Sequence, residues 1–196
     1  MGGPFSFYAF LGRMKYINRW ALMRNTFPDT LSQHSQEVAA VAYALAVIGN
    51  RRLDQSYDPD RACALGLFHD VPEILTGDMP TPVKYYDGNI KSAYDAVEYT
   101  ASQRLLDCLP EDLKADFEPL LINDDKDASL RPLVKAADKI SALIKCVEER
   151  KAGNTEFSKA EDSTRRAIAR LNVPEADIFL DEFLPAFELT LDQLQE

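Results

Sequence analysis

Phe68-His69-Asp70-Val71-Pro72-Glu73 is the stretch of this sequence that says most about its fold and its chemistry. The chain has two histidines, and one of them, His69, stands at the end of an apolar segment and directly before an acid. The other, His34, lies in Leu31-Ser32-Gln33-His34-Ser35. Imidazole nitrogens and carboxylate oxygens together suit a divalent transition metal. We therefore predict that both histidines bind one divalent metal ion.

The length and charge of the chain limit its architecture and its partners. A chain of 196 residues can form a substantial core, and we predict a single domain over residues 1–196. A net charge of −10 argues against a nucleic-acid polymer as partner, because such binding needs a basic surface. A small phosphorylated substrate is compatible with this charge, since a few local cations are enough to bind it.

Several features predict a cytoplasmic location. No apolar run approaches the roughly 20 residues of a membrane helix, so we expect no membrane partner. The start of the chain, Met1-Gly2-Gly3-Pro4, lacks the basic and apolar regions of a signal peptide. Cys63, Cys108 and Cys146 occur singly in apolar segments, which predicts reduced, buried thiols. None forms a Cys-x-x-Cys pair, so we expect no structural zinc site.

Apolar residues recur at helical spacing along almost the whole chain. The predicted helices run from Phe7 to Ile17, His34 to Ile48, Asp58 to Asp70, Ile90 to Leu105, Leu133 to about Lys151, and from Pro174 onward. Asp58-Pro59 is typical of a helix start, and Gly153-Asn154 of a helix end. The best strand-like run, residues 83–86, is too short for a strand. The sequence therefore predicts an all-α fold.

The segment from Thr76 to Gly88 is dense in turn-forming residues and follows the His-Asp pair directly. Loops that leave a ligand-bearing element are common places for substrate contacts. We therefore expect this segment to contact the substrate.

A metal ion needs more ligands than His69 and Asp70, and His34 is the natural third. Asp138 is the best fourth ligand, because it lies in an otherwise apolar run where an unpartnered buried carboxylate would be costly. Glu73 follows His69 by four positions, so on one helix the two side chains would lie on the same face. Glu73 could then serve as a supporting or catalytic acid.

Each of these residues also has an interpretation without metal. His34 could stand in the capping region of a helix, near Ser32, and Asp138 could be a solvated acid that pairs with Lys139 or Lys135. A His-Asp doublet also arises by chance. The agreement of both histidines and two acids on one site favours the metal interpretation.

These motifs resemble the HD-domain superfamily of metal-dependent phosphohydrolases, whose helical pattern is His, then His-Asp, then a late Asp. The resemblance is closest to the bacterial HD-domain 5′-deoxynucleotidases, and it extends from about Phe7 to Leu191. It rests on Asn18-Arg19-Trp20, Ser32-Gln33-His34-Ser35, His69-Asp70-x-x-Glu73, Thr76-Gly77-Asp78-x-Pro80-Thr81-Pro82-Val83-Lys84-Tyr85 and Ala137-Asp138. The start, Gly2-Gly3-Pro4, departs from the pattern but lies outside the motifs.

The resemblance implies an all-α HD-domain helical bundle with a mononuclear metal site, and hydrolysis of deoxyribonucleoside 5′-monophosphates. It implies that the metal ligands are His34, His69, Asp70 and Asp138. The implied catalytic residues are Glu73, Asp78 and Arg19. The implied substrate contacts are Arg19, Trp20, His34, Asp70, Asp78, Met79, Pro80, Thr81 and Asp138. The family also implies a homodimer, and apolar Ile178, Phe183 and Leu189 near the end of the chain fit either an interface or a core.

The residue types suit phosphate monoester hydrolysis. Two imidazoles and two carboxylates suit cobalt, manganese or zinc. Arg19 offers a planar fork that can bind two phosphate oxygens. Glu73 and Asp78 are the two groups that could move protons, one to the departing oxygen and one from water, and the sequence leaves their assignment open.

Trp20 would be read as a core aromatic if it stood alone. Beside Arg19, a rigid indole against the sugar would leave no room for a ribose hydroxyl and would select deoxyribose. Met79 and Tyr85 are better interpreted as packing residues than as residues that recognise the base. The family resemblance nevertheless implies that Met79 contacts the substrate. Lys84 fits a phosphate contact and a surface amine equally well.

Two other functions are compatible with the sequence. One is an HD phosphohydrolase acting on another nucleotide or phosphomonoester, although a triphosphate would favour more basic residues. Dinuclear HD sites need more histidines than this chain has. The other is a nucleotide-binding protein without turnover, which we rank lower because every residue required by the chemistry is present.

Overall fold

The structure of the protein is a computed structural model that describes residues 4–80, 83, 87–122 and 124–195. These residues form nine α-helices, joined by turns and short 3-10 segments. The helices are α1 (Phe7–Leu11), α2 (Leu31–Arg52), α3 (Pro59–Phe68), α4 (Glu73–Thr76), α5 (Gly88–Leu106), α6 (Glu111–Leu121), α7 (Arg131–Lys151), α8 (Ser158–Leu171) and α9 (Pro174–Glu182). Within the described ranges there is no β-strand, only an isolated bridge between Asn18 and Thr30. The all-α prediction is confirmed.

The chain divides into two compact units. The first contains residues 4–22, 28–35 and the described part of 68–125, and its core is formed by α1, α5, α6 and the start of α2. Aromatic rings pack edge-on there, with the Phe7 and Phe117 centroids 5.3 Å apart. Phe117 packs in the same way against Phe68, just before the His-Asp pair.

The second unit contains residues 23–27, 36–67 and 126–195. Its centre is α7, which packs against α8 and α9. Ile140, Leu143 and Val147 on α7 are completely buried. These residues recur at three- and four-residue intervals, which is the apolar stripe expected of a helix that faces a core.

Capping residues fix several helix ends where the sequence predicted them. Asp58 Oδ1 accepts a hydrogen bond from the backbone N–H of Arg61 at the start of α3. After α7, Gly153 has a φ of +85°. Its N–H donates to Arg150 O, and the N–H of Asn154 donates to Glu149 O. This is the Schellman arrangement, in which glycine ends the helix in the left-handed region.

Two predicted helices are shorter than expected. The helix predicted from Phe7 to Ile17 ends at Leu11 and is followed by a separate 3-10 turn, Met14–Tyr16, and α3 ends at Phe68 rather than at Asp70. Pro72 has no N–H to donate to Phe68 O, and its ring would clash with that carbonyl in a continuous helix. Phe68 O instead accepts from the N–H of Val71, and the chain turns before α4 begins at Glu73.

Other details also differ from the expectations. Of the cysteines, all free, Cys146 is buried, while Cys63 on α3 and Cys108 in the turn after α5 are only half-buried. Phe183 and Leu189 lie beyond the end of α9 and are partly exposed, whereas Ile178 packs against the core of the second unit.

The described helices include none that is long and apolar enough to cross a membrane. Of the strand-like run 83–86, all but Val83 lies outside the described residues.

Candidate active site

His34 is held in the first turn of α2 by a capping box. The N–H of Thr30 donates to Gln33 Oε1 at 2.9 Å, and the N–H of Gln33 donates to Thr30 Oγ1 at 3.3 Å. This reciprocal pair satisfies two backbone donors at the helix start and so fixes where the helix begins. The side chain of His34 is fully buried. Its position is therefore set by both the local sequence and the core.

His69 and Asp70 lie in the turn between α3 and α4, and this turn brings them to His34. Nε2 of His69 lies 3.0 Å from Oδ2 of Asp70, and Nε2 of His34 lies 3.4 Å from the same oxygen. The two imidazole rings meet at 60°, with centroids 5.2 Å apart. Among the described residues, these three form the group whose ligand atoms all lie within 4.8 Å of one another.

The donor atoms of this group fit a divalent metal ion. Two donors that each lie about 2.1 Å from one ion are separated by roughly 3.0–3.4 Å when the angle between them is about 90–109°. The observed spacings between Asp70 Oδ2 and the two imidazole nitrogens are of this size. Two imidazoles and one carboxylate are a donor set for cobalt, manganese or zinc rather than for calcium.

The electrostatics of Asp70 favour its ionised form. Burial by itself would raise the pKa of this carboxyl, but the charges and hydrogen bonds of His69 and His34 outweigh burial and hold its pKa well below the usual range. An ionised carboxylate is the form that binds a metal ion. The carboxyl group of Asp70 is therefore in its metal-binding form at neutral pH.

Glu73 begins α4 and is buried, with 8% of its surface exposed. The expectation that it shares a helical face with His69 is wrong, because the chain turns between the two residues. Its proximity to the His-Asp pair comes instead from the tight turn, in which the N–H of Glu73 donates to Asp70 O at 3.0 Å.

Arg19 and Trp20 are held by an aspartate that the sequence did not single out. Asp29 Oδ2 accepts a hydrogen bond from Arg19 Nη1 at 2.7 Å and another from Trp20 Nε1 at 3.2 Å. The main chain pairs in the same place, since the N–H of Arg19 donates to Asp29 O at 2.8 Å. The bridge between Asn18 and Thr30 continues this short antiparallel pairing.

Trp20 has an unusual backbone conformation, with a φ of +58°. The left-handed region costs a bulky L-residue about 1–2 kcal/mol and is kept only where surrounding contacts enforce it. The bonds to Asp29 and the backbone pairing beside it are such contacts. Because residues in such sparsely populated conformations cluster at functional sites, the backbone of Trp20 marks it as a candidate site residue.

Asp78 interacts both with Arg19 and Trp20 and with the metal-binding group, which is formed by His34, His69 and Asp70. Its carboxylate accepts a hydrogen bond from the backbone N–H of Trp20 and interacts electrostatically with Arg19, Asp70 and His34. Burial is the largest influence and raises the pKa of Asp78 above its usual value. The first unit therefore gathers a cation, an aromatic wall, a protonatable acid and a metal-binding group in one place.

The loop that carries Asp78 is anchored at its start. Gly77 has a φ of +74°, a conformation that favours glycine. The hydroxyl of Tyr94, a buried residue of α5, lies 3.1 Å from Gly77 O and 3.2 Å from Thr76 Oγ1. Met79 and Pro80 follow as half-buried residues of this loop. Thr81, Lys84 and Tyr85 lie outside the described residues.

Asp138 lies in the middle of α7, in the second unit. Its Oδ2 accepts a hydrogen bond from Lys139 Nζ at 3.0 Å. The pairing with Lys139 is one that the sequence allowed for. Its role as the fourth metal ligand stays a prediction.

Asp29 and Tyr94 are the site residues that the sequence did not predict. Asp29 stands just before the capping box and would be interpreted as part of a helix start. Tyr94 fits the apolar face of α5. Neither carries a local signal, because the role of each comes from contacts with residues distant in the sequence.

The match to known proteins covers almost the whole chain. The family model described as 5′-deoxynucleotidase YfbR-like matches residues 6–187. A 5′-deoxynucleotidase of Vibrio atlanticus (strain LGP32) is 45% identical over 188 residues, which are 96% of this chain and 97% of that protein. The alignment leaves no large part of either protein unmatched.

Solved structures share the fold at low sequence identity. An HD-domain phosphohydrolase from Listeria innocua superimposes with a TM-score of 0.81 at 19% identity, over 97% of this chain and 92% of that one. A cyanophage S-2L HD phosphohydrolase bound to dA and one catalytic Zn²⁺ ion superimposes with a TM-score of 0.65 at 19% identity, over 93% and 96%. The predicted HD-domain fold is confirmed, and the chain belongs to the YfbR-like 5′-deoxynucleotidase family.

Proposed function

We propose that this protein is a metal-dependent 5′-deoxynucleotidase that hydrolyses deoxyribonucleoside 5′-monophosphates to deoxyribonucleosides and phosphate. The observation that carries the proposal is the single oxygen of Asp70 between two imidazole nitrogens, with Asp78 interacting electrostatically with both Asp70 and Arg19. A relative that is 45% identical over almost its whole length is named 5′-deoxynucleotidase.

The metal-binding group would hold one divalent ion through His34, His69 and Asp70. When bound, this ion supplies Lewis acidity that polarises the phosphoryl group and lowers the pKa of a water molecule. The cyanophage S-2L HD phosphohydrolase, which shares this fold, is bound to dA and one catalytic Zn²⁺ ion. This supports a transition metal for the present site. We propose Asp138 as the fourth ligand on the strength of the family pattern.

Arg19 would bind and orient the phosphate. A guanidinium group has five N–H donors in a fixed fork, of which the bond to Asp29 uses one. The fork can bind two phosphate oxygens and neutralise charge that develops on them during transfer. Orientation of this kind is the main contribution that a protein can make to phosphoryl transfer.

We assign proton donation to the departing 5′-oxygen to Asp78. Burial raises its pKa, so its protonated form is more populated than that of an exposed aspartate. Glu73 would then orient the attacking water and accept its proton. The raised pKa of Asp78 is the property expected of the acid in such a pair.

Trp20 would exclude ribose. Its backbone is fixed through Asp78 and its indole through Asp29, so the ring has little freedom to move aside for a 2′-hydroxyl. Met79 and Pro80 would complete the substrate contacts from the loop after α4, and the family pattern adds Thr81 to these contacts.

Further details of the proposal come from the family pattern. We propose that both units form one domain, which the single family model over residues 6–187 supports. We also propose cobalt or manganese as alternatives to zinc, a homodimer and a cytoplasmic location, with no nucleic-acid polymer and no membrane as partner. Light scattering during size-exclusion chromatography tests the dimer.

Phosphate release from a panel of 5′-deoxy, 5′-ribo and 3′-deoxy mononucleotides tests the activity. The assay uses chelator-stripped protein with cobalt, manganese, magnesium or zinc added back, and Asp70→Ala as the inactive control. We expect metal-dependent release from the 5′-deoxy monophosphates. Absence of release from these substrates with every metal would refute the proposed function.

A further inference from the structure

We infer that Asp29 is a positioning residue that couples phosphate orientation to sugar selection. This inference rests on the proposed function, in which Arg19 binds phosphate and Trp20 excludes ribose. One carboxylate oxygen, Oδ2, accepts hydrogen bonds from the side chains of both residues. Asp29 itself has no assigned part in the substrate contacts.

The geometry fixes the two side chains relative to each other. The Arg19 to Asp29 bond measures 2.7 Å and the Trp20 to Asp29 bond 3.2 Å. The side chains of Arg19 and Asp29 are each only 12% exposed, so solvent screens their ion pair less than a surface pair. The Arg19 guanidinium carbon also lies 6.0 Å from the centroid of the Trp20 ring. A shift of the carboxylate would therefore move both groups.

The main chain holds Asp29 in place independently of its carboxylate. The N–H of Arg19 donates to Asp29 O, and the N–H of Leu31 donates to Ile17 O at 2.9 Å. Residues 17–19 and 29–31 thus pair as short antiparallel segments. Removal of the carboxylate leaves these bonds intact, so the expected effect is loss of orientation rather than loss of the local fold.

Trp20 depends on this contact more than an ordinary aromatic residue would. With a φ of +58°, it belongs to no helix or strand that could set the direction of its ring. The indole N–H bond to Asp29 supplies that direction from the side chain. Asp29 therefore acts on sugar selection through Trp20 and on phosphate binding through Arg19.

Kinetics of two variants separate these effects. Asn at position 29 keeps an oxygen that can accept from the indole but removes the charge that pairs with Arg19. We expect Asp29→Asn to lower kcat/KM for a deoxyribonucleoside monophosphate about tenfold, with the deoxy-to-ribo ratio preserved. Asp29→Ala removes both bonds, so this ratio should also fall about fivefold or more, toward that of Trp20→Ala.

A matched control separates positioning from general stability. Asp127 forms a similar partly buried pair with Arg61, with Oδ2 at 2.6 Å from Nη2, in the second unit. Asp127→Ala should leave the deoxy-to-ribo ratio within about twofold of the parent, because loss of folded protein lowers both rates equally. A ratio that falls as much in Asp127→Ala as in Asp29→Ala would overturn the inference.

Fluorescence gives a readout that needs no activity, because Trp20 is the only tryptophan in the chain. We expect acrylamide to quench Trp20 more strongly in Asp29→Ala than in the parent, Asp29→Asn and Asp127→Ala. Unchanged quenching in Asp29→Ala overturns the inference, and so does an unchanged deoxy-to-ribo ratio in an active enzyme. If the parent releases no phosphate, the proposed function fails, and quenching alone decides whether Asp29 positions Trp20.

Discussion

Gly66 of α3 lies directly against the backbone of Ala39 of α2. A Cβ atom added at Gly66 would stand 2.9 Å from the Cα of Ala39 and 3.1 Å from its nitrogen. Both neighbours are backbone atoms, which cannot rotate away as a flexible side chain would. Glycine at this position therefore allows the two helices to approach each other closely.

Gly66→Ala should destabilise the protein in spite of the higher helix propensity of alanine. Propensity favours alanine by about 1 kcal/mol in a helix. Overpacking against a backbone costs roughly 1–3 kcal/mol, so the difference is a net loss of up to about 2 kcal/mol. The 2.9 Å contact with a backbone atom favours the larger loss. Gly88→Ala at the start of α5 is the matched control, because its added Cβ has no atom of the described residues within 4 Å other than those of its chain neighbours and its own helix backbone. Thermal unfolding followed by circular dichroism measures both, and equal melting temperatures would contradict the prediction.

The buried pair of Lys145 and Glu149 predicts acid sensitivity of stability. Burial alone would raise the pKa of Glu149, but hydrogen bonds from Lys145, Asn154 and Thr26 outweigh it and lower the pKa to about 2. Because the folded pKa lies below the unfolded value, the stabilisation is complete above about pH 4.5. It is lost as the pH falls from about 4.5 toward 2.

Glu149→Gln should therefore be much less stable than the parent at pH 7, by roughly 3 kcal/mol, and the difference should shrink toward pH 3. Urea unfolding at a series of pH values measures this difference. Glu182→Gln is the control, since its ion pair with Arg52 is exposed on both sides and contributes little. A Glu149→Gln deficit that stays constant from pH 7 to pH 3 would contradict the assignment.

Metal content tests the ligand group directly. Asp70→Ala removes the oxygen that lies between the two imidazoles, so we expect it to lose most of the bound ion. Asp138→Asn should weaken binding if this residue is the fourth ligand, because an amide oxygen is a poorer ligand than a carboxylate. Elemental analysis after dialysis gives the stoichiometry, and Asp95→Ala, in an exposed ion pair with Lys91, is the control. Full occupancy in Asp138→Asn would exclude that residue from the ligands.

Tyr94→Phe tests the anchoring of the loop that carries Asp78. The variant loses the hydroxyl beside Gly77 O and Thr76 Oγ1 but keeps the buried ring. We expect kcat/KM to fall about three- to tenfold, because Asp78 is then less well positioned. Tyr99→Phe is the control on the same helix, since its side chain is largely exposed. Equal kinetics for the two variants would show that the hydroxyl of Tyr94 has no such role.

Local chemistry was predictable from the sequence, and contacts between distant residues were not. Asp58-Pro59 and Gly153-Asn154 marked helix ends correctly because caps act within a few residues of the chain. The apolar spacing continues to His69 and predicts a helix that is too long, whereas Pro72 ends α3 at Phe68. The three residues of the metal-binding group were predicted by residue type, but their separations required the structure.

Asp29 is the site residue whose role is least visible in the sequence. Its partners are nine and ten residues away, which is neither a helical nor a strand spacing. The segment Pro28-Asp29-Thr30 would be taken for a helix start, and Thr30 does form the capping box. A residue whose role depends on how a loop closes leaves no periodic pattern in a single sequence.

The shared oxygen of Asp29 has a consequence for the way this enzyme family can diversify. Since Arg19 and Trp20 donate to the same atom, loss of the carboxylate group at position 29 would disturb phosphate orientation and sugar selection together. A smaller side chain at position 20, with Asp29 unchanged, should raise activity on ribonucleotides at a lower cost in phosphate orientation. An engineer who wishes to broaden sugar tolerance while preserving catalytic efficiency should therefore vary the indole position and leave the carboxylate untouched.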